Sequence, residues 1–98
     1  MEPVTINVTF LGEIRSATRR RGMQVALAEG STVADLLSCL SKRLGDTFDR
    51  LVFLGEGTLY PHVSIFVNGK DCKSLSGLET KLDKDDVDLF IVPTYGGG

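Results

Sequence analysis

The sequence has no tryptophan, one histidine, two cysteines and three prolines among its 98 residues. Two cysteines, Cys39 and Cys72, are too few for a disulfide scaffold, and with His62 as the single histidine they have no zinc-ligand spacing. Nor can two cysteines ligate a four-cysteine iron–sulfur cluster. A positive excess is missing too: 11 basic residues stand against 13 acidic ones, for a net charge of -2. Direct nucleic-acid binding, which is driven by clustered positive charge, is therefore not expected. No apolar run approaches the ~18 residues of a membrane span. Met1-Glu2-Pro3 begins acidic and leads straight into an alternating segment, unlike a signal peptide. There is no nucleophile–base pair, metal constellation or phosphate loop, which sets an autonomous enzyme aside. What remains, 42% hydrophobic and 24% charged, is ordinary globular usage. The expectation is one small, soluble, monomeric domain in the reducing cytoplasm.

The pattern along the chain is α+β. Val4 to Phe10 alternates apolar and polar residues, with Val4, Ile6, Val8 and Phe10 on one face of a first strand. Gly12 to Gly22 reads as a polar, arginine-rich connection, and Met23 to Leu27 as a second strand antiparallel to the first. Thr32 can cap a helix with Asp35 completing a capping box, and Val33, Leu36, Leu37, Leu40 and Leu44 form one apolar stripe ending at Gly45. From Asp46 to Pro61, Phe48, Leu51, Val52 and Leu54 suit a short helix or an irregular turn over the core. Val63 to Val67 is a third strand, and Asn68-Gly69 turns it into a short strand over Lys70 to Lys73. Leu75, Leu78 and Leu82 are apolar anchors in a polar loop; Val87 to Val92 is the last strand, stopped by Pro93. One helix must then cover one face of a mixed sheet.

Beyond Pro93 the chain reads Thr94-Tyr95-Gly96-Gly97-Gly98. With glycine near 7% of residues, three in a row at one chosen place arises by chance about three times in ten thousand. Glycines without side chains let a terminal carboxylate thread into a narrow channel of another protein. A carboxylate is a poor electrophile, and adenylation by ATP would convert it into a mixed anhydride open to a sulfur nucleophile. Other features have plainer readings. Arg15, Arg19, Arg20 and Arg21 suit a solvated basic loop, and Asp83, Asp85, Asp86 and Asp88 a solvated turn without the spacing of a calcium loop. Lys70 and Lys73 flank Cys72 and would favour its thiolate, yet neither cysteine sits in a motif, and both read as small hydrophobes, Cys39 at the edge of the buried helix face. His62 would position the strand that starts at Val63.

The order of these segments together with the glycine end resembles the β-grasp sulfur carriers and ubiquitin-like modifiers. Thr32 to Leu37 looks like that family's helix start, Pro61 to Gly69 like its central strand and turn, and Gly77 to Leu82 with Asp85 to Phe90 like the run into its last strand. The resemblance leaves out the arginine loop and Asp46 to Gly57. It implies a β-grasp roll over residues 1–93, with 94–98 a flexible tail. It further implies a carrier, not a catalyst: Gly98 would be adenylated by a ubiquitin-activating-type enzyme, which supplies ATP and Mg2+, and become a thiocarboxylate. Gly96 and Gly97 would give the tail its freedom, and Tyr95 and Phe90 would lie in the docking face on the exposed sheet. The sulfur would go to molybdopterin through a molybdopterin-synthase large subunit, or to tRNA through a thiolation enzyme; alternatively the glycine would be joined to target-protein lysines. Lys42, Lys70, Lys73, Lys81 and Lys84 are candidates for self-conjugation. Counted from Phe90, the family's usual Gly-Gly falls on Gly96 and Gly97, so Gly98 is one extra, activated directly, trimmed first, or part of a longer precursor. Val92 to Tyr95 is also less apolar than the molybdopterin subunit's tail. The reading from a different class is a non-covalent β-grasp docking domain with an incidental tail.

Overall fold

The computed structural model describes residues 3–55, 58–83 and 86–91. The first strand, β1 (Val4–Leu11), buries every second residue, and Val4, Ile6, Val8 and Phe10 all enter the core. The expected polar connection after it contains a helix, α1 (Glu13–Thr18). Its single apolar anchor, Ile14, is completely buried, and the Thr18 hydroxyl donates 2.7 Å back to the Ile14 carbonyl. Arg19, left-handed at φ 58°, ends the helix and turns the chain into β2 (Gly22–Leu27). β2 runs antiparallel to β1, from Thr9 opposite Gly22 to Val4 opposite Leu27.

The long helix, α2 (Val33–Leu44), opens on the expected capping box. The Asp35 amide donates to Thr32 Oγ1 at 3.3 Å, and the Thr32 amide donates to Asp35 Oδ2 at 2.9 Å. Val33, Leu36, Leu37 and Leu40 are buried, each stabilising the fold by roughly 1.5–3 kcal/mol. Gly45, at φ 70°, ends the helix and donates its amide to the Ser41 carbonyl at 2.8 Å. The chain re-enters a helix at once, α3 (Asp46–Val52), which buries Phe48 and Val52. A two-stranded ribbon follows, β3 (Phe53–Gly55) with β4 (Thr58–Leu59), which the sequence pattern did not announce. Leu54, expected over the core, is 61% exposed, because the ribbon turns that position outward while Phe53 meets Phe48 edge-on at 6.1 Å.

β5 (Val63–Val67) buries Val63, Ile65 and Val67. Asn68 and Gly69, both at positive φ (54° and 82°), make the two-residue turn into β6 (Lys70–Asp71). β6 is shorter than expected, since Asp71 Oδ1 accepts the Lys73 amide at 2.9 Å and coils Cys72–Ser74 into a 3-10 turn. Of the three expected loop anchors Leu82 is buried and Leu78 half-buried, but Leu75 is 43% exposed. The loop is tied to the start of α2 instead by the Val33 amide donating to the Thr80 carbonyl (3.0 Å) and the Leu82 amide to the Ser31 carbonyl (2.8 Å).

The last strand, β7 (Asp86–Ile91), runs parallel to β1 and antiparallel to β5. The sheet order is β2-β1-β7-β5-β6, so the last strand lies in the middle. A mixed five-stranded sheet with one main helix on its inner face is the expected β-grasp roll. Val92 and Pro93, expected to end the strand, lie outside the described residues.

Two substitutions test this account. A Cβ at Gly22 would lie 2.2 Å from the Val8 carbonyl oxygen, so Gly22→Ala is expected to lower urea-unfolding stability by about 1–3 kcal/mol. Thr32→Ala, which removes half of the capping box, is expected to cost about 1 kcal/mol in the same measurement.

Candidate functional site at the end of the central strand

The register of β7 decides where the chain leaves the sheet. Phe90 lies opposite Leu11 on β1 and opposite Ser64 on β5, and Ile91 opposite Val63. The strand therefore ends between the end of β1 and the start of β5. The arginine turn lies at this same end, because the Phe10 amide donates to the Arg21 carbonyl at 2.9 Å. Arg15, Arg19, Arg20 and Arg21 are all exposed, a solvated basic rim beside the exit. On the other side, the His62 ring stacks on Tyr60 at 5.2 Å and 21°. That pair was missed as a unit; its only trace in the sequence is two rings spaced around Pro61.

The outer sheet face has two characters. Thr5, Asn7, Thr9 and Gln24 make an exposed polar half, crossed by the Gln24 Nε2 donation to Asn7 Oδ1 at 2.9 Å. Nearer the exit stand Leu11, 37% exposed, and the half-buried Ser64, while the half-buried Phe66 lies further along β5, level with Asp88 and Thr9. Of the residues expected to matter, Phe90 is placed by its register alone, its side chain being outside the described residues, as are Tyr95, Gly96, Gly97 and Gly98.

Cys72 does not supply a reactive thiol here. Cys39 is half-buried at the edge of α2, and Cys72 is 5% exposed. Burial pushes the Cys72 thiol above its ordinary 9.0, and Asp71 pushes in the same direction. Lys73 does favour the thiolate, as its position suggested, but its effect is outweighed. Lys42, Lys70, Lys73 and Lys81 are exposed, and Lys84 lies outside the described residues. Asp83 is exposed and Asp88 half-buried; among the described residues no three of His, Cys, Asp and Glu gather as a metal site. No described helix is long and apolar enough to cross a membrane. What this end of the molecule offers is the end of a strand paired on both sides, beside a basic rim and a stacked ring pair.

A mixed five-stranded sheet with β7 at its centre and α2 across its inner face is the β-grasp class of fold. The chain belongs to the ThiS family, whose model matches residues 8–98. It is 39% identical over 71 residues to a candidate sulfur carrier protein of Archaeoglobus fulgidus, covering 72% of this chain and 78% of that one. It is 26% identical over 92 residues to small archaeal modifier protein 3 of Haloferax volcanii, covering 94% and 98%. The solved structure of small archaeal modifier protein 1 from Methanosarcina acetivorans superposes with a TM-score of 0.80 at 20% identity, over 98% of this chain and 100% of that one, a likeness of fold. These relatives carry the names of a sulfur carrier and of a modifier protein.

Cys72 gives a pH test. The unfolded thiol ionises near 9.0 and the folded one only at higher pH. The stability this burial contributes is thus full below 9.0 and falls as pH rises through the folded value. Cys72→Ala should flatten that alkaline loss in urea-unfolding curves, and iodoacetamide at neutral pH should label Cys72 in the native chain far more slowly than in denaturant.

Proposed function

We propose that the chain is a sulfur carrier whose C-terminal glycine carboxylate, that of Gly98 here, is activated by adenylation and converted to a thiocarboxylate. The observation that carries this reading is the family match over residues 8–98, which takes in the glycine tail as well as the roll. The relative named as a candidate sulfur carrier gives the same direction.

The chemistry follows from the electrophile that is needed. A carboxylate oxygen attacks the α-phosphorus of ATP, pyrophosphate leaves, and the acyl adenylate forms. A persulfide sulfur on the partner then displaces AMP, and a second partner thiol cleaves the resulting S–S bond, releasing the thiocarboxylate and leaving the partner with a disulfide. ATP and Mg2+ belong to the partner, an adenylating enzyme of the ubiquitin-activating type. The domain, residues 1–93, supplies recognition through the sheet face and its exit; Gly96 and Gly97 let residues 94–98 reach the partner's channel, and Tyr95 and Phe90 complete the contact. In this reading the protein works in the cytoplasm, with molybdopterin or tRNA as the final class of sulfur acceptor.

A second fate rests on the modifier relative: attack on the same adenylate, or a thioester derived from it, by a lysine amine gives an isopeptide bond. It uses the same tail and the same activation.

Intact-mass spectrometry after incubation with ATP, a sulfide source and a competent activating enzyme distinguishes these fates. Thiolation by an activated sulfur nucleophile replaces one oxygen by sulfur, a gain of about 16 Da, and fragment masses show which glycine is last. Deleting Gly97 and Gly98 should abolish the gain. A branched product would favour the modifier fate; no change with an enzyme proven competent would overturn both and leave a docking domain with an incidental tail.

A further inference from the structure

Away from the sheet face, a groove of about 770 Å³ runs between α2 and the layer formed by α3 and the β3–β4 ribbon. Leu37, Phe53, Tyr60 and Leu78 give it an apolar lining. Along α2 it extends from Ala34 to Lys42, which at 1.5 Å per residue is about 12 Å. An extended peptide covers that length with about four residues.

The groove is polarised. Its cations, Lys42 and Arg50, stand where α2 meets α3, on positions adjacent to Ser41 and Asp49, whose side chains bond across that corner. Ala34 and Leu78 lie toward the other end, near the tie between the start of α2 and Thr80. Asp49, the one carboxylate in the lining, accepts the Ser41 hydroxyl at 2.6 Å. Lys42 and Arg50 are exposed, and no ion pair occupies either among the described residues. Positive charge at one end and apolar surface at the other complement an extended segment with carboxylates at one end and bulky apolar side chains after them.

We propose that this groove is a peptide-docking site for an acidic–apolar segment of a partner protein, with its carboxylates at Lys42 and Arg50 and its apolar side chains against Leu37, Phe53 and Tyr60. A second copy of this chain is a poor source. Its own acid-rich stretch from Asp83 to Asp88 is interrupted by Val87, followed by Leu89, and both are buried in the core. Tyr60 lines the groove and also stacks on His62 beside the exit, so the two sites adjoin there, while the groove's cations, Lys42 and Arg50, belong to the α2–α3 corner.

The test is an amide-shift titration of the isotope-labelled full chain with an end-blocked peptide of aspartates followed by leucine and phenylalanine. Shifts should gather at Ala34, Ser38, Lys42, Phe53 and Tyr60 and weaken with added salt. The paired substitution Lys42→Glu with Arg50→Glu, both at exposed positions, should keep the folded spectrum and weaken binding about tenfold or more. A peptide with asparagine for aspartate should lose as much. Shifts confined to Thr5, Thr9 and Leu11, equal binding by the asparagine peptide or the charge-reversed protein, groove shifts caused by protein concentration alone, or no binding at all would each overturn the proposal. Deleting Gly97 and Gly98 should leave the titration unchanged, so this site and the tail's chemistry fail or succeed separately.

Discussion

The pairing of β7 is the constraint on which the rest of the structure depends. This strand is last in the chain and central in the sheet, parallel to β1 on one side and antiparallel to β5 on the other. Until it inserts, β1 with β2 and β5 with β6 are separate hairpins, and the inner faces of Phe10 and Ile65 have no common surface to complete. Val87 and Leu89, both buried, close the gap and give α2 a continuous floor. The long-range closure carries an entropic cost that local hairpins avoid. It also fixes the geometry at the exit: Ile91 ends a strand paired on both sides rather than one at the sheet's edge.

The local features of this architecture could be read from the residues because each depends on neighbours close in sequence. Period-two burial of Val4, Ile6, Val8 and Phe10, the Thr32–Asp35 box and the Asn68-Gly69 turn follow from pleat, cap and backbone preference. α1 could not be read that way, since one buried residue, Ile14, anchors it and a lone isoleucine sets no period. The β3–β4 ribbon is too short to alternate, so nothing in Leu54 or Leu59 distinguishes the outward position from the half-buried one. Leu75 failed as an anchor because the 3-10 turn at Cys72–Ser74 rotates it out, a turn set by one aspartate side chain. The parallel pairing of β1 with β7, the feature that places the exit, joins opposite ends of the chain, and alternation within either strand is silent on its neighbour. The candidate site was legible as a glycine tail and a family pattern; its surroundings, from the exposed arginine rim to the Tyr60–His62 stack, came from tertiary structure.

The two faces of the molecule have different chemical characters. The exit lies at the end of the central strand, with the polar cross-strand pair Asn7–Gln24 on β1 and β2 and Leu11 near the end, a surface that can be recognised in a fixed orientation. The α2–α3 groove is apolar inside and cationic at one corner, a surface that selects by side-chain size and charge. α2 stands between them, its buried stripe committed to the core and its Ala34–Lys42 side left open. Tyr60 lies at their junction, lining the groove and stacking on His62 beside the exit.

On the chemistry proposed for the tail, the treatment of the thiols follows as a requirement. An acyl adenylate is taken by the best nucleophile that reaches it, and a thiolate on the carrier itself would compete with the partner's persulfide. Val63 is at the exit end of β5 and Val67 at the far end, so the strand separates the two by about 13 Å. Cys72 follows β6, which pairs with that far half, and its thiol is buried and held protonated by desolvation. Burial and protonation thus act together against self-capture by Cys72. The core position of Cys72 therefore does more than fill volume. It keeps that thiol out of competition with the carboxylate chemistry proposed for Gly98.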